Sequence, residues 1–205
     1  MQVEIVAATS FPIDVIGYAA GTCYGKADLS DKRVASCFKA GHMSVFEHAS
    51  VTFKASGISR ACSHQLVRHR LASFCQESQR YCKVDTSNRD WFVMPPSFGA
   101  GEDNPAVGME LDEFFWGCMI EHAADYNLAI EAGVKPEDAR YLLPEAAKTA
   151  ITVTMNAREL FHFLDMRQSK AAQWEIRELA NEVERQLRKW EQWGDLLALR
   201  DGDGR

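Results

Sequence analysis

No run of about 18 apolar residues, the length that would span a bilayer, occurs anywhere in the 205 residues. The opening Met1-Gln2-Val3-Glu4 also lacks the basic start of a signal peptide, so a cytoplasmic location is expected. There is no Cys-x-x-Cys pair either. The six cysteines, at 23, 37, 62, 75, 82 and 118, show no metal-ligand spacing and are expected to be reduced thiols, with Cys37, Cys62 and Cys118 acting as small core hydrophobes. Internal repeats and low-complexity segments are missing, and proline and glycine gather only near Pro95–Pro105, which reads as a loop and not as a linker. Residues 1–205 therefore read as one domain. Positive charge is in deficit, 23 basic against 29 acidic side chains, which argues against a broad surface for nucleic acid.

Against that background one stretch stands out. Between Ile58 and Lys83 there are five basic residues and one acid, Glu77, a local balance of +4 in a chain of net charge −6. Such a reversal points to a bound anion. If the run from Ser59 is helical, Arg68 and Arg70 project about 200° apart and cannot easily hold one phosphate, so either the helix ends there or the two serve different ligands or subunits. Ser78 and Arg80, two apart, would share a face of an extended segment and could cradle a second anionic group. A solvated basic helix end followed by a polar loop is the plain alternative.

The string Arg68-His69-Arg70, seven residues, Ser78, then Gln79-Arg80-Tyr81 resembles the signature of the flavin-dependent thymidylate synthases. Two more stretches carry the resemblance. One is His42-x-Ser44-x-x-Glu47-His48, where Ser44 and Glu47 also have capping-box spacing for a helix, and where His48 reads equally as a buried, hydrogen-bonded histidine. The other runs from Arg140, in an Ala-Arg-Tyr-Leu-Leu-Pro context, to the helix after Asn156. The resemblance implies FAD contacts from His42, Ser44, Glu47, Arg68, His69, Arg70, Gln76, Asn156, Arg158 and His162. It implies dUMP contacts from Gln65, Arg68, Gln76, Ser78, Gln79, Arg80, Arg140 and Arg167, with Arg167 placed against the pyrimidine as the catalytic group. NADPH and methylenetetrahydrofolate would be co-substrates, and four copies would share active sites in a homotetramer. Cys23, Gln76, His162 and Ala171 depart from what many relatives carry.

Periodicity supplies the scaffold, an α+β class with a small, mostly antiparallel sheet flanked by long helices. Strands are expected over Gln2–Thr9, Val51–Ala55, Asp90–Met94 and Thr149–Met155, from alternation and β-branched content. Helices are expected from Pro12 to about Ala20, over Asp31–Ala40 with Ser30 as cap and Gly41 as stop, and from Ser59 through Arg68. More follow over Pro105–Ile130, Pro136–Arg140 and Ala157–Met166 with Asn156 as cap, and a last one from about Ala172 through Trp190. On the Asn156-capped helix Arg158 and His162 share a face, whereas Arg167 lies about 180° round and is therefore expected to address something else. Two other readings use the same residues. A single-stranded nucleic-acid module would stack bases on Phe74, Tyr81 and Trp91 beside the Arg-His-Arg cluster. A metal hydrolase would recruit His42, His48, His64 and His69, whose spacings match no ligand motif.

Overall fold

Alternation of buried and exposed side chains is cleanest in β4 (Lys148–Asn156), where Thr149, Ile151, Val153 and Met155 are buried. It lies next to β2 (Ser50–Ser59) in a four-stranded sheet of order β1-β2-β4-β3, completed by β1 (Gln2–Ala8) and β3 (Ala72–Gln76). β1 runs antiparallel to β2, with Val3 opposite Ala55 and a register shift between Ile5 and Ala7. The computed structural model describes residues 1–26, 31–82, 89–99, 101, 103–190 and 192–202. The chain forms two compact units, one from Met1–Ser56, Gln65–Cys75 and Ile151–Arg205, the other from Gly57–His64 and Gln76–Ala150.

In the first unit the sheet is covered by helices whose apolar stripes are legible in the sequence. α1 (Pro12–Thr22) starts on a proline, whose fixed φ suits the first turn, and packs on α2 (Asp31–Lys39). Ser30, expected to cap α2, lies outside the described residues; Gly41, at φ +72, makes the left-handed turn that follows the helix. α6 (Ala157–Arg167) and α7 (Trp174–Leu187) pack together, and α7 lies on β1. In α7 the buried Ile176, Leu179, Ala180, Val183 and Leu187 make one continuous stripe.

The last helix does not continue to Trp190 as periodicity implies. α7 stops at Leu187, Trp190 is exposed, and Gln192 turns the chain at φ 57 into α8 (Trp193–Asp201). The buried tryptophan is Trp193, whose indole N–H donates to the carbonyl of Thr9 at 3.0 Å. Gln192 Oε1 meanwhile accepts from the backbone N–H of Ile13, one of the orphan donors in the first turn of α1.

In the second unit α4 (Leu111–Glu131) buries Phe115, Met119 and Ala123 against Phe92 and Ala147. It begins at Leu111, not Pro105, because the segment before it turns back through an Asn104–Met109 bridge. Gly133, at φ +86, follows its end. α5 (Pro136–Ala139) runs directly into a 3₁₀ turn, Arg140–Leu142. The strand expected over Asp90–Met94 is absent: Arg89–Trp91 is a 3₁₀ turn, and only Phe92 bridges, to Ala147. Two prolines immediately downstream, at 95 and 96, remove the donors a longer ladder would need.

Candidate active site

α3 (Arg60–Leu66) is short, and its end decides the geometry of the Arg-His-Arg string. The backbone N–H groups of Arg68 and His69 donate to the carbonyls of Gln65 and Leu66, which closes the helix and releases the three residues into a turn before β3. The helical expectation through Arg68 therefore fails, and the alternative in which the helix stops short holds. His69 turns inward and is 3% exposed, while Arg68 and Arg70 stay at the surface.

Around this turn the first unit encloses a cavity of about 620 Å³. Arg68, Arg70, Arg158 and Arg167 all line it, with His69 and His162. Arg158 and Arg167 stand nine residues apart, opposite on an ideal helix, yet their long side chains reach one space from different directions. Arg158 pairs with Glu47 at 2.5 Å; Arg167 donates through Nε to His69 Nε2 at 3.0 Å and through Nη2 to the Gln65 carbonyl at 3.1 Å. Both acids on the lining are already engaged, Glu159 with His69 and Asp165 with Arg200. The Arg68 and Arg70 guanidinium groups have no side-chain partner among the described residues. Phe38 and Phe161 make one wall aromatic, and the buried Phe46 backs them, the three rings meeting edge-to-face with centroids 5.5–5.9 Å apart.

Asn156 does cap α6, accepting from the Glu159 N–H at 2.9 Å. Ser44 and Glu47 do not form a capping box. Met43–His48 is a 3₁₀ turn with no side-chain cap bond, and Glu47 is taken by Arg158, an ion pair that no local spacing announces. His42, Ser44 and His48 are exposed, so His48 is not a buried histidine.

The remaining expected residues fall in the second unit. Gln76 donates its amide N–H groups to Ser63 Oγ and Thr149 Oγ1, at 2.9 and 3.2 Å, and so ties strand to helix. Ser78 and Arg80 are not extended: the Ser78 hydroxyl accepts from the Arg80 N–H within a turn, and the Arg80 guanidinium pairs with Glu137. Gln79 and Arg140 line a second cavity, of about 510 Å³, together with Arg60, His64, Tyr141 and Glu145. Arg60 was not singled out by the sequence; its pKa is lowered by burial and then by the nearby Arg140 charge, which together outweigh the opposing pull of Glu145 and Glu77.

His69, Glu159 and His162 bring potential ligand atoms within 4.8 Å of one another. Both ring nitrogens of His69 are nevertheless engaged, and a guanidinium sits against one of them. Burial, followed by the Arg167 charge, lowers the His69 pKa below 6.5 even though its hydrogen bond to Glu159 raises it. The linkage has a definite sign. As pH falls below about 6.5 the unfolded chain takes up a proton that the folded one resists, so stability is complete above that pH and is lost below it. Thermal midpoints should fall between pH 7 and 5, and His69→Gln should flatten that limb; an unchanged slope in the variant counts against the assignment.

Each unit of this α+β scaffold has a cavity lined by guanidinium groups, whose planar fork matches the geometry of phosphate and carboxylate. Residues 4–191 match the family model described as thymidylate synthase complementing protein. Flavin-dependent thymidylate synthases from Geobacter sulfurreducens and Pyrococcus furiosus are 45% and 41% identical, over 89% and 88% of this chain and 80% and 76% of their own. The crystal structure of flavin-dependent thymidylate synthase ThyX from Helicobacter pylori, complexed with FAD and dUMP, superposes with a TM-score of 0.70 at 26% identity, over 91% of this chain and 94% of that one. The chain belongs to the flavin-dependent thymidylate synthase family. Among the described residues no helix is long and apolar enough to cross a membrane.

Proposed function

We propose that the protein converts dUMP to dTMP by reductive methylation, with FAD bound, NADPH as reductant and methylenetetrahydrofolate as carbon donor. The observation that carries this reading is the guanidinium-lined cavity at the family signature, with Arg68 and Arg70 open to a ligand. The donor set fits a dinucleotide: fixed cations for a pyrophosphate beside an aromatic wall for an apolar ring system. Arg68, Arg70, Arg158 and His162 would hold FAD, with His69 behind them and His42, Ser44, Glu47, Asn156 and Gln76 supporting. When bound, the flavin supplies the reducing equivalents. Arg140, Gln79, Ser78 and Arg80 would receive the nucleotide phosphate, and Arg60 adds a cation beside Arg140. Arg167, steadied by His69 and the Gln65 carbonyl, would stand against the pyrimidine, where a cation stabilises negative charge developing on the ring carbonyl as carbon 5 becomes nucleophilic.

We read the chain as a single domain that assembles into a homotetramer with active sites shared between copies, in the cytoplasm. The decisive experiment follows the visible spectrum of the protein with FAD, adds NADPH and dUMP anaerobically, and then assays dTMP with methylenetetrahydrofolate. Bleaching of the flavin bands followed by dTMP formation is expected. A protein that takes up no FAD overturns the reading and returns attention to single-stranded nucleic acid.

A further inference from the structure

We infer that Glu159, which the family signature does not include, is a positioning residue: its carboxylate sets the tautomer of His69, and that tautomer holds Arg167 in place. The inference rests on the thymidylate synthase reading for the role of Arg167, but its geometry stands independently.

An arginine side chain can only donate hydrogen bonds. Because Arg167 Nε lies 3.0 Å from His69 Nε2, that nitrogen must present its lone pair. A neutral imidazole has one donor and one acceptor, so the proton sits on Nδ1, which faces Glu159 Oε1 at 3.0 Å. Donor and acceptor roles thus agree along the whole line from carboxylate to guanidinium. Protonating His69 as well would set an Nε2–H against the Arg167 N–H, and burial together with the Arg167 charge opposes it.

Each member is held from outside the line. Glu159 is 5% exposed, in the first turn of α6, where the helix dipole favours a negative charge. Its backbone N–H is fixed by the Asn156 cap. The His69 ring meets Phe163 edge-on at 5.1 Å and His162 at 5.6 Å, which leaves little freedom to rotate. The Gln65 carbonyl fixes the far side of the guanidinium. In Glu159→Gln the amide can turn either its oxygen or its N–H₂ to Nδ1, so the Nδ1 proton is no longer enforced by a group that can only accept; the N–H₂ orientation shifts the proton to Nε2 and sets two donors against each other.

The test is a histidine ¹⁵N NMR spectrum at pH 8, with the His69 signals identified by their absence in His69→Gln, combined with steady-state kinetics of Glu159→Gln. The wild-type protein should show His69 as the Nδ1–H tautomer. Glu159→Gln should lose that tautomer and lower kcat for dTMP formation at least about tenfold, with KM for dUMP changed less than threefold. A wild-type Nε2–H tautomer overturns the inference without reference to any variant that might fail to fold. So does a variant that keeps wild-type kcat, or one that loses kcat while the tautomer is unchanged. Absence of dTMP formation by the wild type would instead defeat the functional reading and leave the tautomer result standing.

Discussion

Replacing Arg167 by alanine should abolish thymidylate formation while the protein still takes up FAD. The guanidinium makes its two protein bonds through Nε and Nη2, to His69 and to the Gln65 carbonyl, which leaves Nη1 for a ligand in the cavity. Fixed donors aimed at developing charge typically contribute about 10²–10³ in kcat each, and removing a whole cation should cost at least the upper figure. FAD should remain because Arg68, Arg70 and Arg158 are untouched. Arg167→Lys keeps the charge, but one ammonium cannot reproduce the fork between His69 and Gln65, so it should recover only part of the rate. The checks are dTMP formation and flavin absorbance on the same samples; normal turnover in the alanine variant removes Arg167 from catalysis.

The second large effect belongs to the open pair. Arg68→Ala combined with Arg70→Ala should weaken FAD binding by about a hundredfold or more, since a hydrogen bond to a charged group contributes about 1.5–3 kcal/mol and each 1.4 kcal/mol is a factor of ten. Both groups are exposed, which places the effect at the lower end of what two such bonds could give. The variant should also lose much of the salt dependence of FAD binding, because screening acts on the charges removed. Titration of FAD at low and high ionic strength measures both quantities, and a variant that binds FAD like the wild type refutes the assignment.

Much of this arrangement is legible in the sequence where a local pattern and a tertiary demand coincide. β1, β2 and β4 alternate because one face is buried, and Asn156 caps α6 as its position implies. The reading fails where a distant partner overrides the local signal. Ser44 and Glu47 have capping-box spacing, yet Arg158, 111 residues away, claims the carboxylate. Asp90–Met94 is rich in strand formers, but only Phe92 finds a partner. β3 lies unseen inside the signature, since Ala72–Gln76 is an edge strand whose polar residues read as loop. Glu159 is the least legible of all: a glutamate in the first turn of a helix is what a dipole alone would favour, and only the buried His69 beside it reveals a second role. Arg167 shows a subtler error, because opposite positions on a helical wheel exclude a shared cavity only for short side chains.

The first unit is assembled from three separate pieces of the chain, the last of them beginning at Ile151. Its sheet needs β4, its cavity needs α6, and the exit of β1 is held by Trp193 through the Thr9 carbonyl, 184 positions earlier. During synthesis, then, the residues that first leave the ribosome cannot complete their own core, and the Arg-His-Arg turn waits with its cations exposed until the final quarter of the chain arrives. Closing such distant contacts is slow compared with closing local ones, so the nascent chain passes through a long interval with β1 and β2 available to wrong partners. A ribosome-stalled fragment ending before Ile151 should be readily digested by protease, whereas the released chain should resist.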